Sequence, residues 1–187
     1  MVNEFERLAP GKLLIASANL MEGTFKRTVL LVCEHSSEGS VAFILNRPME
    51  FKVREAIAGF GDVEEPLLMG GPVQADRVYF MHARGDLVEG AEEILPGLFW
   101  GGEQEELSYL LNTGVLPPSE VRFFLGYSGW SAGQLEEEFE VGSWYTTDAS
   151  RDLVFSDAYE WMWSRTVRSK GGEYQLIANS PELPGLN

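Results

Sequence analysis

The sequence predicts an α+β fold, with helices packed on a sheet or a sheet curled around its own core. Three observations lead there. Apolar runs at 13–18, 28–33 and 41–45 read as strands, and the polar break His35–Gly39 between the last two suggests an antiparallel hairpin. These runs are nearly continuous rather than alternating, so both of their faces should be covered. Amphipathic segments with helical spacing come after them, and residues 121–140 (VRFFLGYSGWSAGQLEEEFE) join a strand, a glycine-rich turn and a helix in immediate succession.

The first strand follows Pro10-Gly11, and residues 19–26 read as a loop. His35-Ser36-Ser37-Glu38-Gly39 breaks the second strand from the third, and Asn46-Arg47-Pro48 closes the third because proline donates no ladder hydrogen bond. Residues 51–60 read as a helix whose stripe is Val53, Ala56, Ile57 and Phe60. Gly70-Gly71-Pro72 is a turn with close backbone approach, and residues 78–81 are a strand. Residues 83–96 read as a loop with one short strand, and 98–100 as an edge strand. Residues 103–111 form a helix that buries Leu107, Leu110 and Leu111.

Residues 121–127 are a strand, 134–139 a short helix and 141–145 a returning strand. The last helix is expected to be capped by Asp157 with Glu160 as reciprocal partner. It turns Tyr159, Met162, Trp163, Thr166 and Val167 to one face and gathers Arg165, Arg168 and Lys170 near its C-terminal end. Residues 174–178 read as a final strand or extended tail.

With 187 residues, 44% of them hydrophobic, the chain can bury a sizeable core as one domain spanning 1–187. Its 14 basic and 29 acidic residues give a net charge of −15, which argues against direct binding to nucleic acid or anionic lipid. Cys33 is the only cysteine, so no intrachain disulfide can form. The opening MVNEFERLAP lacks an apolar leader, and no run reaches the roughly 18–20 apolar residues of a membrane helix. A cytoplasmic, soluble protein is expected.

Several residues invite a chemical reading. Gly129-Trp130-Ser131-Ala132-Gly133 matches G-x-S-x-G between a strand and a helix, which would expose Ser131 as a nucleophile. That hydrolase alternative needs His35 or His82 as base, and both lie upstream of the serine. The bland reading is a turn packed by Trp130. Cys33 and His35 stand two apart on a strand and so share a face, but no CxxC or HxxxH completes a metal set. No cofactor or metal is predicted. Gly70-Gly71 and Gly101-Gly102 match neither phosphate-loop pattern. Arg47, held between Asn46 and Pro48 at a strand end, suits a fixed guanidinium for an anion or a partner's carboxylate; its bland reading is an internal ion pair. Trp161 lies off the Trp163 face and is expected to be partly exposed.

The motifs GKLLIASANL, TVLLVCEH, ILNRP, LMGGPV, VYFMH and GYSGWSAGQLEEE, in that order, closely resemble the YqgE/AlgH family, also called UPF0301 or DUF179. The resemblance covers nearly the whole chain. It implies a single AlgH-like domain, and a mixed, mainly antiparallel, bulged sheet curled into a partly open barrel flanked by helices. The family has no established biochemical activity; one branch is linked to transcriptional control of exopolysaccharide production. The shared motifs fall on Asn46, Arg47, Pro48, Gly70, Gly71, Pro72, Val73, His82, Gly126, Gly129, Trp130, Gly133, Gln134 and Leu135. The chain departs from the family at Ala18, often proline, at Val41-Ala42-Phe43, usually a smaller glycine-containing run, and at Ser131, often glycine.

The reading that results is a non-enzymatic protein that binds a protein partner or a small anion. Its binding candidates are Asn46, Arg47, Gly70, Gly71, Val73, His82, Trp130 and Gln134, brought into one recess. A serine hydrolase using Ser131 and a direct nucleic-acid-binding regulator are the alternatives, and any transcriptional role is expected to be indirect.

Overall fold

The computed structural model describes residues 5, 8–20, 23–60 and 63–179. The start of the chain, on which the leader expectation rests, lies mostly outside these residues, as do Gly61, Asp62 and residues 180–187.

β1 (Lys12–Ala16) pairs antiparallel with β2 (Val29–Ser36), and β2 forms the predicted antiparallel hairpin with β3 (Gly39–Ile44). β4 (Pro48–Lys52) and β5 (Pro66–Met69) are a short antiparallel pair, with the one-turn helix α1 (Val53–Ala56) between them. β6 (Val73–His82), β7 (Glu92–Leu95) and β8 (Leu98–Trp100) come next, then α2 (Gln104–Asn112). β9 (Val121–Ser131) leads into α3 (Gln134–Glu140), and β10 (Trp144–Asp148) returns to pair with β1. α4 (Arg151–Val154), α5 (Tyr159–Ser169) and α6 (Tyr174–Ala178) complete the described chain.

The sheet runs β10-β1-β2-β3-β9-β6-β8-β7, with β5 added to β9 in parallel and β4 beyond it. It is mainly antiparallel and flanked by helices, but it is an open sheet, and the expected partly open barrel is wrong. Its end strands β10 and β7 do not pair. The physical reason lies in what covers it. A barrel turns one face of every strand toward a single interior. Here the two faces of β1–β3 feed different cores. Leu13, Ile15, Leu31 and Phe43 pack under α5, while Leu14, Leu30, Val32 and Ile44 pack with Trp130, Trp144 and Leu135 of α3. A third core joins Phe80 and Phe123 to Leu107, Leu110 and Leu111 of α2.

Other expectations also change. Residues 51–60 are not one helix, because Pro48–Lys52 is drawn into pairing with β5 and only Val53–Ala56 turns helical. Leu98–Trp100 is a strand but not the edge: it lies between β6 and β7. Residues 174–178 are helical, packing Tyr174, Ile177 and Ala178 on the α5 core. β9 continues through Gly129, Trp130 and Ser131, so the predicted turn shrinks to Ala132-Gly133. Among the described residues no helix is long and apolar enough to cross a membrane.

β9 is where the sheet divides. Its C-terminal half pairs with β3, and further back the same side of the strand takes β5. The link from β5 to β6 crosses over this junction. Gly70 N–H donates to Leu125 O at 2.9 Å, and Gly70 O accepts from Ile44 N at 2.9 Å and from Ser128 Oγ at 3.1 Å. A methyl group at Gly70 would stand 2.2 Å from Gly126 O, and one at Gly71 would stand 2.2 Å from the Tyr127 carbonyl carbon. The paired glycines are needed for this backbone-on-backbone crossing.

Candidate functional site

The site begins with a clasp between two turns. Asn46 is 5% exposed and spends its amide on the backbone: Oδ1 accepts from Val29 N at 2.9 Å, and Nδ2 donates to Arg27 O at 3.0 Å. Arg47 beside it donates to Asn46 O at 3.2 Å and to Lys26 O. Together they hold the 26–27 backbone, where Arg27 sits at φ 51°, in the left-handed region that non-glycine residues seldom occupy. The clasp sets Arg27's guanidinium 4.6 Å from the ring centre of Trp163. Such over-determined backbone tends to mark functional positions.

α5 forms the facing wall. It buries Met162, Trp163, Thr166 and Val167, and Trp163 Nε1 donates to Ala16 O at 2.8 Å. Trp161, Arg165 and Arg168 fall at i, i+4 and i+7 on a different face and are exposed, Trp161 by 65%. Between this helix and the Asn46-Arg47 turn lies a cavity of about 1090 Å³, lined by Arg27, Asn46, Arg47, Trp161, Arg165 and Arg168 among others. Four arginines thus line one cavity of a chain with net charge −15, with Glu160 as the lining carboxylate. Arg168 donates to Asn179 Oδ1 at 2.8 Å, while Arg165 makes no hydrogen bond or ion pair within the described residues. Tyr159 also lines the cavity, and burial pushes its phenol up to about 12, so it stays a neutral donor.

Asp157 does not cap α5 as expected. Ala158 stands at the cap, and Asp157 instead accepts from Arg122 at 2.8 Å. Arg122 is 1% exposed on β9, donates to Val121 O and Phe155 O, and leaves its Nε without a partner. A buried guanidinium binds a carboxylate more strongly than a helix end does.

The remaining binding candidates do not share the Arg47 cavity. Val73, Gly129 and Trp130 line a separate, shallow depression of about 410 Å³ rimmed by Glu34 and Glu38. Gly70 and Gly71 are buried in the β9 crossing. Gln134 accepts from Ser131 N at 3.1 Å and donates to Glu138 at 3.2 Å, tying down the start of α3. His82 is fully buried, with Nε2 at 3.1 Å from Gly101 O and Nδ1 accepting from Arg84 N at 3.3 Å. Burial lowers its pKa.

The hydrolase geometry is not assembled among the described residues. Ser131 Oγ meets Gln134 Oε1 at 3.3 Å. His35 Nδ1 lies 2.8 Å from Ser40 Oγ, and His82 pairs with Val121 at the far end of β9, roughly 30 Å from Ser131 at ~3.3 Å per residue. Cys33 and His35 do not share a face. The register shift between Val32 and Glu34 breaks the alternation, so Cys33 enters the α5 core while His35 meets Phe5 edge-on. Burial raises the Cys33 thiol well above its ordinary value, which makes it a poor nucleophile. Among the described residues no three His, Cys, Asp or Glu side chains gather as metal ligands.

Arg27, Arg165 and Arg168 were not among the predicted site residues. The i, i+4, i+7 spacing of Trp161, Arg165 and Arg168 carries a signal in sequence, but the bias toward a helix C-terminus explains the same arginines equally well. Arg27 has no such signal, because its placement depends on the Asn46 clasp.

Fold and site together define a class: an α+β protein with an open, split sheet, carrying an arginine-lined cavity between a strand-end turn and a helix. The chain belongs to the AlgH-like family, DUF179, whose pattern matches residues 13–175. It is 73% identical over all 187 residues to a UPF0301 protein of Chlorobium phaeobacteroides, with both chains fully covered. It is similar to the solution structure of AlgH from Pseudomonas aeruginosa at 27% identity, TM-score 0.72, covering 92% of this chain and 94% of that one. A crystal structure of a Corynebacterium diphtheriae protein shares the fold at TM-score 0.79 and 23% identity, covering 92% and 93%.

Proposed function

We propose that this protein is a binding protein whose cavity at Arg47 receives an anionic group, either a free small anion or an acidic group on a protein partner. The observation that carries this reading is the gathering of Arg27, Arg47, Arg165 and Arg168 around one cavity in a strongly acidic chain. A chain of this charge repels anions over most of its surface, so an arginine-rich hollow is the place where an anion would be drawn in. Guanidinium groups hold carboxylate and phosphate oxygens in paired hydrogen bonds, and the Asn46 clasp fixes the backbone that presents two of the four. The other motif residues serve as frame: Gly70 and Gly71 hold the β5–β6 crossing, and Gln134 holds α3. The reading contains no covalent step. Any link to transcription would run through the bound ligand, not through direct contact with nucleic acid.

The test is titration with inorganic pyrophosphate, followed by calorimetry and by thermal unfolding. A bound anion raises the melting temperature by mass action. The double variant R165E/R168E, confined to exposed positions, should abolish the heat of binding and leave the urea midpoint close to wild type. Absence of binding up to about 10 mM, or equal binding by the double variant, overturns the reading.

A further inference from the structure

We infer that the ligand of this cavity is an aromatic anion of the nucleoside-phosphate class, its phosphates held by the arginines and its base laid on Trp161. The inference rests on the anion-binding reading and adds a ring to it.

Three observations carry the ring. Trp161 is the most exposed tryptophan and lines the cavity itself. The four other tryptophans are engaged elsewhere. Trp130 and Trp144 share Glu138, Trp163 is bonded to Ala16 and covered by Arg27, and Trp100 packs on Phe43. An indole left 65% exposed beside a hollow forgoes the burial available to its neighbours, and it offers a flat apolar platform suited to a base.

Size is the second argument. At about 1090 Å³ the open hollow lies just above the range for small organic ligands, about 300–1000 Å³, and a lone oxyanion would fill only a small part of it. The third is the order of groups along α5. Arg165 and Arg168 stand one and two turns beyond Trp161, a run of contacts that follows a base through its sugar to a phosphate tail. Glu160 also lines the hollow and accepts hydrogen bonds from sugar hydroxyls or an exocyclic amino group. A nucleic-acid polymer fits less well, because its flanking phosphates would meet the acidic surface of a chain with net charge −15.

The experiment compares ADP, inorganic pyrophosphate and adenosine by calorimetry, on wild type, W161A and R165E/R168E. Stacking on an aromatic side chain predicts ADP binding roughly 10-fold or more tighter than pyrophosphate. W161A should erase that advantage and leave pyrophosphate affinity unchanged, and the arginine variant should lose both ligands. ADP should also quench tryptophan emission in wild type and not in W161F. If ADP and pyrophosphate bind equally to wild type, or W161A leaves the ADP advantage intact, the aromatic half fails and the anion site stands. If neither ligand binds, both readings fail together. Trp161 is exposed, so its variants are expected to fold, and an unchanged urea midpoint verifies this.

Discussion

Trp130 donates its indole N–H to Glu138 Oε2 at 2.9 Å, and Trp144 donates to the same oxygen at 2.7 Å. The two rings stand at 85° with centroids 5.9 Å apart. One carboxylate on α3 therefore pins the helix to β9 and β10 at once. Replacing Glu138 by Ala strands two indole donors in a largely buried cluster. We predict a loss of about 2–3 kcal/mol, with a smaller loss for Glu138→Gln, which keeps an acceptor. Urea unfolding measures the loss, and near-UV circular dichroism should show the indoles loosening. A loss below about 0.5 kcal/mol would mean the shared oxygen is unimportant.

Gly70→Ala tests the crossing at β9. The added methyl would meet Gly126 O, the Phe124 side chain and the Phe43 ring, the first at 2.2 Å, and backbone cannot swing aside as a flexible side chain can. We predict destabilisation of at least about 3 kcal/mol, at the severe end for overpacking. Gly133→Ala serves as contrast: nothing lies within 4 Å of its added methyl, so its cost arises only from φ +78° and should be roughly 1 kcal/mol.

Much of the fold was legible in the sequence, for reasons that also explain the failures. The nearly continuous apolar run of β2 announced a strand covered on both faces, and Leu30 and Leu31 do enter different cores. What local pattern cannot show is competition between partners. Phe51 and Lys52 are compatible with the helical stripe of residues 53–60, yet the open side of β5 claims Pro48–Lys52 as a strand. Tyr174, Ile177 and Ala178 satisfy i, i+3, i+4 in a segment too short to tell helix from strand by period. Asp157 has the form of a cap, and only tertiary packing brings Arg122 to it. Arg47 was visible as a fixed guanidinium, whereas Arg27 was hidden because a left-handed arginine has no sequence signature.

Asn46 is a positioning residue for the proposed site. Asn46→Ala removes an acceptor from Val29 N and a donor to Arg27 O in a buried place, which should cost about 1–3 kcal/mol. Releasing Arg27 from φ 51° should also weaken pyrophosphate binding while leaving Arg165 and Arg168 in place. Arg27→Gly separates the two effects. It relieves the backbone and removes the guanidinium, so binding should fall with stability changed by no more than about 1 kcal/mol. If pyrophosphate binds equally to both variants and wild type, Arg27 does not belong to the site.

The two histidines predict how stability varies with pH. His82 is buried with Nδ1 accepting from Arg84 N and Nε2 facing Gly101 O, an arrangement that requires the neutral ring protonated on Nε2. Charging it would set a new Nδ1–H against the Arg84 N–H. Burial accordingly lowers the pKa of His82, and it also lowers that of His35. A base whose folded pKa is lowered binds more protons unfolded than folded in the window between the two values. The stability this supplies is complete above the unfolded value of about 6.5 and is lost as pH falls from there through the folded value. The urea midpoint should therefore rise with pH from about 5 to about 7.5. His82→Gln should lower the midpoint throughout, because the buried pair of bonds is disturbed, and should flatten its rise with pH. Glu64 and Asp86, held low by Lys52 and Arg84, are exposed and act only at more acidic pH. A midpoint that falls across this window, or an unchanged slope in His82→Gln, would show that the buried neutral ring is not what links folding to protons here.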